Sequence, residues 1–260
     1  MTMAVAGISM TGCSSSSDDG GGVVAPPEFT ARQKAVSNGL SEFDLGFFAA
    51  ANKGREGQNF VVSPLSASMV LSLVANGEND EVRQQICDAL GTADVEALNI
   101  LARGYAGWLP RADRDVRLSL AQSVWHNQNM ALASEFSKVA SEYFAAPVYA
   151  RDFGKTDELK RDINKWASDN TRGMIPEFLK ELRPRVMAYV FNALYFKGKW
   201  STKFDKAETA GASFHGARGT ADVMMMHSRS DRGYAWDEDF QAVRLGFGGG
   251  SMSALLVMPD

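Results

Sequence analysis

The run VFNALYFKGKW at 190–200 constrains the fold more than any other stretch of the chain. Fully extended, it sends Val190, Asn192, Leu194 and Phe196 to one face and Phe191, Ala193 and Tyr195 to the other, because successive side chains of a strand alternate. Both faces are apolar, which predicts a strand covered on both sides. Asn192 is the anomaly. Its carboxamide is then buried, and a buried amide left unpaired costs roughly 1–3 kcal/mol. A partner is therefore expected for it, and Asn192→Ala is expected to destabilise by roughly 1–3 kcal/mol.

Hydrophobic periodicity supplies the surroundings of that strand. Val36, Leu40, Phe43 and Phe47 recur at helical spacing and predict a long amphipathic helix over 30–52. NFVV at 59–62 reads as a short buried strand, leading into SPLSASMVLSLVANG, where Ser63 suits an N-cap, Pro64 the first helical position and Gly77 the stop. Met69, Val70, Leu71, Leu73 and Val74 make that helix apolar nearly all round, so it is expected to be buried. Helices follow at Val82 to Leu90, at 94–109 and at 134–145, with alternating strands at 116–127 and 147–153. The segment 156–173 predicts an amphipathic surface helix with Thr156 as its N-cap and Leu159, Ile163 and Trp166 on one stripe. From 186 onward the chain is mostly strands, the last being SMSALLVMPD, whose sheet partners are expected beyond residue 260. Helices first and strands afterwards predict an α+β fold rather than a doubly wound sheet.

A net charge of -4 without any run of five or more like charges offers nucleic acid no basic stripe, so none is expected as a partner. At the N-terminus a short apolar segment meets Gly12 and Cys13, followed by a Ser/Asp/Gly linker. This resembles a bacterial lipoprotein signal, in which the cysteine is lipidated, although no basic residue precedes the apolar segment. Residues 1–28 are accordingly read as signal and flexible linker, and 29–260 as the folded domain. Cys13 is the expected lipid attachment point, and the expected location is extracytoplasmic, on the cell envelope or surface, with secretion as the alternative. Cys87 falls on the apolar side of a helical pattern and reads as a small core residue.

Catalytic chemistry finds little to work with. His126, His215 and His227 lie in no zinc-type spacing, and Ser63 in VVSPL lacks the Gly-x-Ser-x-Gly setting of a serine nucleophile. MMMH at 224–227 reads as strand packing rather than a soft-metal site. No cofactor, metal or enzyme activity is expected.

Two segments then carry a resemblance. NFVVSPLSASMVLSLVANGENDEVRQQICDALG (59–91) and YVFNALYFKGKWSTKFD (189–205) resemble helix B and the third strand of sheet A in the serpins, the serine protease inhibitor family. INKWASDNTRGMIPEFL (163–179) is similar to the serpin segment closing helix F, with Trp166, Thr171 and Gly173 on its pattern. FHGARGTADVMMMH and AVRLGFGGGSMSALLVMPD resemble the strands that come next, so the likeness runs in family order from about residue 30 to the end. GENDEVRQQI departs from the family's Ala-x-Gly-x-Thr run, and nothing in the sequence matches the reactive loop.

The resemblance implies a prokaryotic serpin with sheet A and parts of sheets B and C, incomplete at the C-terminus. It places Ser63 and Asn192 in the shutter, a polar network beneath the centre of sheet A, and Trp200 in the breach at the top of that sheet. Ser63, entering a helix packed under Asn192, is then expected to offer its hydroxyl to the amide. The implied partner of the full-length protein is an extracellular or periplasmic serine or cysteine protease. Inhibition would proceed by loop cleavage and strand insertion, a route this stretch of sequence is not expected to perform alone. The alternatives are a non-inhibitory binding module of the same fold and, more remotely, an unrelated hydrolase.

Overall fold

The computed structural model describes residues 2–4, 22–55, 57–183, 185–216 and 219–259. Four helices come first. Helix α1 (Ala31–Asn52) starts at a capping box, in which the Thr30 hydroxyl accepts from the Gln33 N–H at 3.3 Å and the Gln33 side chain accepts from the Thr30 N–H at 2.9 Å. Helix α2 (Pro64–Ala75) has Ser63 as N-cap and Pro64 at its first position, as the sequence predicts. Helices α3 (Asp80–Ala89) and α4 (Val95–Trp108) are capped by the side chains of Asn79 and Asp94. Val36, Leu90, Leu98 and Leu101 bury the seam between α1, α4 and the end of α3.

Strand β2 (Val116–Asn127) is the middle of a three-stranded sheet in the order β3-β2-β4. It runs parallel to β3 (Val148–Arg151) and antiparallel to β4 (Ala188–Gly198), in a register that sets Val116 against Gly198 and His126 against Ala188. Helix α5 (Ser134–Phe144) joins β2 to β3, and α6 (Thr156–Asn170) precedes β4. On one face of the sheet Met69 and Leu73 of α2 and Phe136, Ala140 and Phe144 of α5 pack on Val124, with Leu120 and Val190 alongside. On the other, Leu159 and Ile163 of α6 pack on Trp125, with Tyr189 and Phe191 alongside. The alternation read from 190–196 is therefore realised, with one helical layer on each side.

Five other strands lie downstream and one short strand upstream. A hairpin of β5 (Ala210–Gly216) and β6 (Gly219–Met225) forms a two-stranded sheet. Strands β7 (Tyr234–Trp236), β8 (Phe240–Phe247) and β9 (Met252–Pro259) form an antiparallel sheet with β1 (Thr2–Ala4), in the order β1-β9-β8-β7.

Several expectations need correction. Residues 59–62 form no strand, and Val61 is 96% exposed. A four-residue strand needs a paired neighbour for its backbone groups, and none lies beside it among the described residues. Phe60 instead stacks on Phe48 at 5.6 Å. Helix α2 is buried along Ser68, Met69, Ser72, Leu73 and Ala75, whereas Val70, Leu71 and Val74 are only half-buried. Thr156 is the first residue of α6 and Lys155 its N-cap, with no side-chain cap bond. Strand β9 finds partners within the chain, β8 on one side and β1 on the other. Met224 and Met226 are exposed, because the β5-β6 hairpin has no layer facing them among the described residues.

Candidate functional site at the centre and edge of the three-stranded sheet

Asn192 sits in the middle of β4, directly opposite Gln122 of β2. Side chains paired this way in an antiparallel ladder have Cβ atoms about 4.5–5.5 Å apart. Gln122 is 2% exposed, and the amide oxygen and nitrogen of both residues are buried without a hydrogen-bond partner among the described residues. Both amides share the sheet face that packs on α2, since Asn192 has the parity of Val190, and Gln122 that of Val124.

The hydroxyl expected to serve Asn192 is engaged elsewhere. Ser63 Oγ lies 2.8 Å from Ser66 Oγ and accepts from the Ser66 N–H at 3.2 Å. The first turn of a helix has unpaired N–H groups of its own, and an N-cap hydroxyl is drawn to them. Ser68 likewise donates to the Leu65 carbonyl at 3.1 Å. Thus α2 lies under β4 yet leaves the amides unserved.

Strand β4 is the terminal strand of its sheet. Its outward N–H and C=O groups accordingly have no strand partner among the described residues, although both faces of the strand carry helices. At its upper end Trp200 forms a bridge with Phe247 of β8, and the two rings stack with centroids 4.5 Å apart. Gly198 permits this approach, because a Cβ there would lie 2.7 Å from a Phe247 ring carbon. Ser201 completes the stitch, donating its N–H to Gly246 at 2.8 Å and its hydroxyl to the Gly248 carbonyl at 2.7 Å.

Trp166, Thr171 and Gly173 shape the path from α6 to β4. Trp166 lies 6.4 Å from Phe191, centroid to centroid. Thr171 is buried at the helix end, donating to the Ala167 carbonyl at 2.7 Å and accepting from the Ile175 N–H at 3.1 Å. Arg172 and Gly173 both have positive φ, and the Gly173 N–H closes the helix on the Ser168 carbonyl at 2.8 Å. The chain then folds back along α6, where Asn164 donates to the Leu179 carbonyl at 2.9 Å and accepts from the N–H groups of Phe178 and Leu179. That return brings Phe178 edge-on to Phe191 at 5.2 Å.

Cys13 lies outside the described residues. Cys87 is buried, and burial pushes its thiol above its ordinary pKa, which suits a core residue. Among the described residues no three His, Cys, Asp or Glu side chains converge as a metal set.

Three residues of consequence escaped the sequence reading. Gln122 left a signal, a polar residue in register with Leu118, Leu120 and Val124 on an apolar face, the same anomaly as Asn192. Asn164 gave none, since a polar residue on a surface helix is unremarkable. Asp113 is buried and accepts from the Gly249 N–H at 2.7 Å and the Ser251 hydroxyl at 3.1 Å, tying the start of β2 to the β8-β9 turn.

A family described as Serpin (serine protease inhibitor) matches residues 38–260. An antitrypsin of Bombyx mori is 27% identical over 242 residues, an alignment covering 91% of this chain and 62% of that protein. The chain thus spans about three fifths of that relative's length. Among solved structures, the thermophilic serpin Tengpin in its native state superposes with a TM-score of 0.78 at 25% identity, covering 92% of this chain and 60% of that one. A reactive-loop-cleaved human thyroxine-binding globulin shares the fold at a TM-score of 0.79 and 19% identity, over 88% of this chain and 70% of that one.

Proposed function

This chain belongs to the serpin family of serine protease inhibitors, which are not enzymes, and from that membership we propose that the whole protein inhibits a serine or cysteine protease by seating a cleaved loop as a new strand beside β4. One observation carries the proposal: β4 is covered on both faces yet unpaired along its outer edge among the described residues. An exposed edge is a template for strand addition. Each backbone hydrogen bond gained there nets roughly 0.5–1.5 kcal/mol, so a strand matching much of β4 would release several kcal/mol in all.

The amides of Asn192 and Gln122 support the same reading. A seated strand can carry a donor or acceptor to groups that have none, and a polar centre opens more readily than interlocked apolar packing. In this scheme Asn192, with Ser63 at the N-terminus of the helix beneath it, forms the shutter. Trp200, clamped on Phe247 where β4 leaves its sheet, forms the breach, and Trp166, Thr171 and Gly173 hold α6 across the outer face. The protease attacks the loop, becomes covalently attached to the cleaved end, and is carried along as the strand inserts.

The proposed site of action is outside the cytoplasm, on a lipid attached to Cys13; the small residue before Cys13 and the polar linker after it support this. Cys13→Ala should move the protein from the membrane fraction to the soluble one, and an unchanged distribution would remove the anchor from the scheme.

The test of inhibition uses the protein as its gene encodes it, mixed with trypsin-like, chymotrypsin-like, subtilisin-like and papain-like proteases. The expected result is a complex with at least one of them that survives denaturing electrophoresis, and a cleaved form that melts well above the intact one. Cleavage without either would assign the fold to a binding role instead.

A further inference from the structure

The β5-β6 hairpin displays two methionines that neither its own packing nor the proposed inhibition uses. Met224 and Met226 are 69% and 52% exposed. In an extended chain they point to one face, while Met225 between them is half-buried on the other. Residues two steps apart along a strand are separated by roughly 6.6 Å, so two flexible thioether side chains can bring their sulfurs together over one point. Across the ladder Met224 is paired with Gly211, where even a Cβ would meet nothing within 4 Å. Space is therefore left beside the pair.

The remainder of that face is polar. Ser213 donates to the Asp222 carboxylate at 3.2 Å, and His215 Nδ1 lies 3.0 Å from the Thr220 hydroxyl. The ladder thus gives Met224 no apolar side chain to pack on, and core filling, the commonest use of methionine, does not apply to it. His227, exposed and directly after Met226, adds a nitrogen. Its Nδ1 lies 3.0 Å from the Glu208 carbonyl oxygen, and a carbonyl only accepts, so Nδ1 carries the proton. In the neutral ring Nε2 then holds the free lone pair. Metal-ligating histidines are commonly held this way, with the other ring nitrogen donating to a backbone carbonyl.

We infer that Met224, Met226 and His227 bind a soft monovalent metal ion, copper(I), through two thioether sulfurs and the imidazole Nε2. Thioether sulfur selects copper(I) over hard cations, and imidazole suits copper as well. The Asp222 carboxylate, two residues back from Met224 on the same face, adds a negative charge that favours a cation. The site lies on a different sheet from β4 and stands whether or not the protein inhibits a protease.

The experiment uses the gene-encoded protein with carbon-13 in its methionine methyl groups and nitrogen-15 in its histidine rings. Silver(I), a redox-stable stand-in for copper(I), is added past saturation of the thiols, and the labelled signals are followed by NMR. The expected result is that the Met224 and Met226 methyl signals and the His227 ring signal move together, while the methyls of the exposed Met174 and Met187 stay in place. In Met224→Leu with Met226→Leu, which keeps apolar bulk and removes sulfur, the His227 signal should need at least about tenfold more silver to move. In His227→Gln the two methyl signals should show a loss of the same order. The control, Met174→Leu with Met187→Leu, should titrate like the parent, and zinc(II) should leave the methyl signals where they are. The parent titration decides the question even if a variant fails to fold. Methyl signals of Met224 and Met226 that ignore excess silver, or that titrate alike in the parent and in His227→Gln, would overturn the inference.

Discussion

Two pairs of amide side chains flank helix α2, and they are in opposite states. Asn76, at the C-terminal end of α2, and Asn99 of α4 bond each other reciprocally at 2.9 Å in both directions, and Asn76 also donates to the Ser72 carbonyl at 2.8 Å. Gln122 and Asn192, opposite one another in the sheet on which α2 packs, bond nothing among the described residues. The same functional group thus closes one side of the molecule and leaves the other open. A satisfied buried network fixes a single packing, whereas an unsatisfied one retains capacity for a partner that has yet to arrive. Among the described residues the Asn76–Asn99 pair is satisfied within the helical layer, and the Gln122–Asn192 pair at the sheet centre is not.

The largest test of that contrast is on the closed side. Asn99→Ala leaves the Asn76 amide oxygen without its donor in a buried seam, and should destabilise the chain by about 1–3 kcal/mol. Urea melts monitored by far-UV circular dichroism would show a lower midpoint at unchanged slope. A midpoint within error of the parent would mean that the reciprocal pair contributes nothing and that the two regions do not differ.

A second, smaller test uses Asp44, the buried orphan on the helical side among the described residues. One oxygen of Asp44, on α1, is buried without a partner, and burial pushes the carboxyl up from its ordinary 3.8 to about 6. Because the folded chain holds this proton more tightly than the unfolded one, the stability it contributes is fully present below about pH 4 and lost as pH rises through about 6. Asn at this position has no charge to desolvate. Asp44→Asn should therefore stabilise the chain at pH 7 by about 1 kcal/mol, allowing for screening on its solvent side, and should flatten this part of the profile between pH 4 and 6. A parent profile without that slope would place Asp44 in contact with water and restore the helical layer to full closure.

Much of this was legible in the sequence, for reasons that differ by element. The boundaries of α1 and β2 follow from strong periodicity together with local signals, such as the Thr30 to Gln33 capping box, that need no tertiary information. Asn192 announced itself as a polar residue among apolar neighbours. What the sequence could not supply was pairing. Gln122 and Asn192 are seventy positions apart, and only the register of two strands makes them neighbours. NFVV had the composition of a strand without a ladder to join, and composition alone does not form one. Ser63 caps α2 as its setting in the sequence predicts and does not reach Asn192, because one hydroxyl oriented by its own helix end has little left to offer a sheet.

The smallest expected effect is the most informative. Burial alone predicts that Asn192→Ala costs roughly 1–3 kcal/mol, on the assumption that the amide is paired. In the structure it is not, so truncation removes a desolvation penalty while leaving a small cavity, and the two offset. The expected change in the 260-residue chain is within about 0.5 kcal/mol of zero, well below that for Asn99→Ala, in the same urea melts. With a strand seated along β4 and a donor brought to the amide, the same substitution should again cost about 1–3 kcal/mol. Measuring it in both states separates the two origins of the effect: a full cost already present with the edge free would show that Asn192 has a partner in the unoccupied sheet, and the contrast between its closed and open sides would fall.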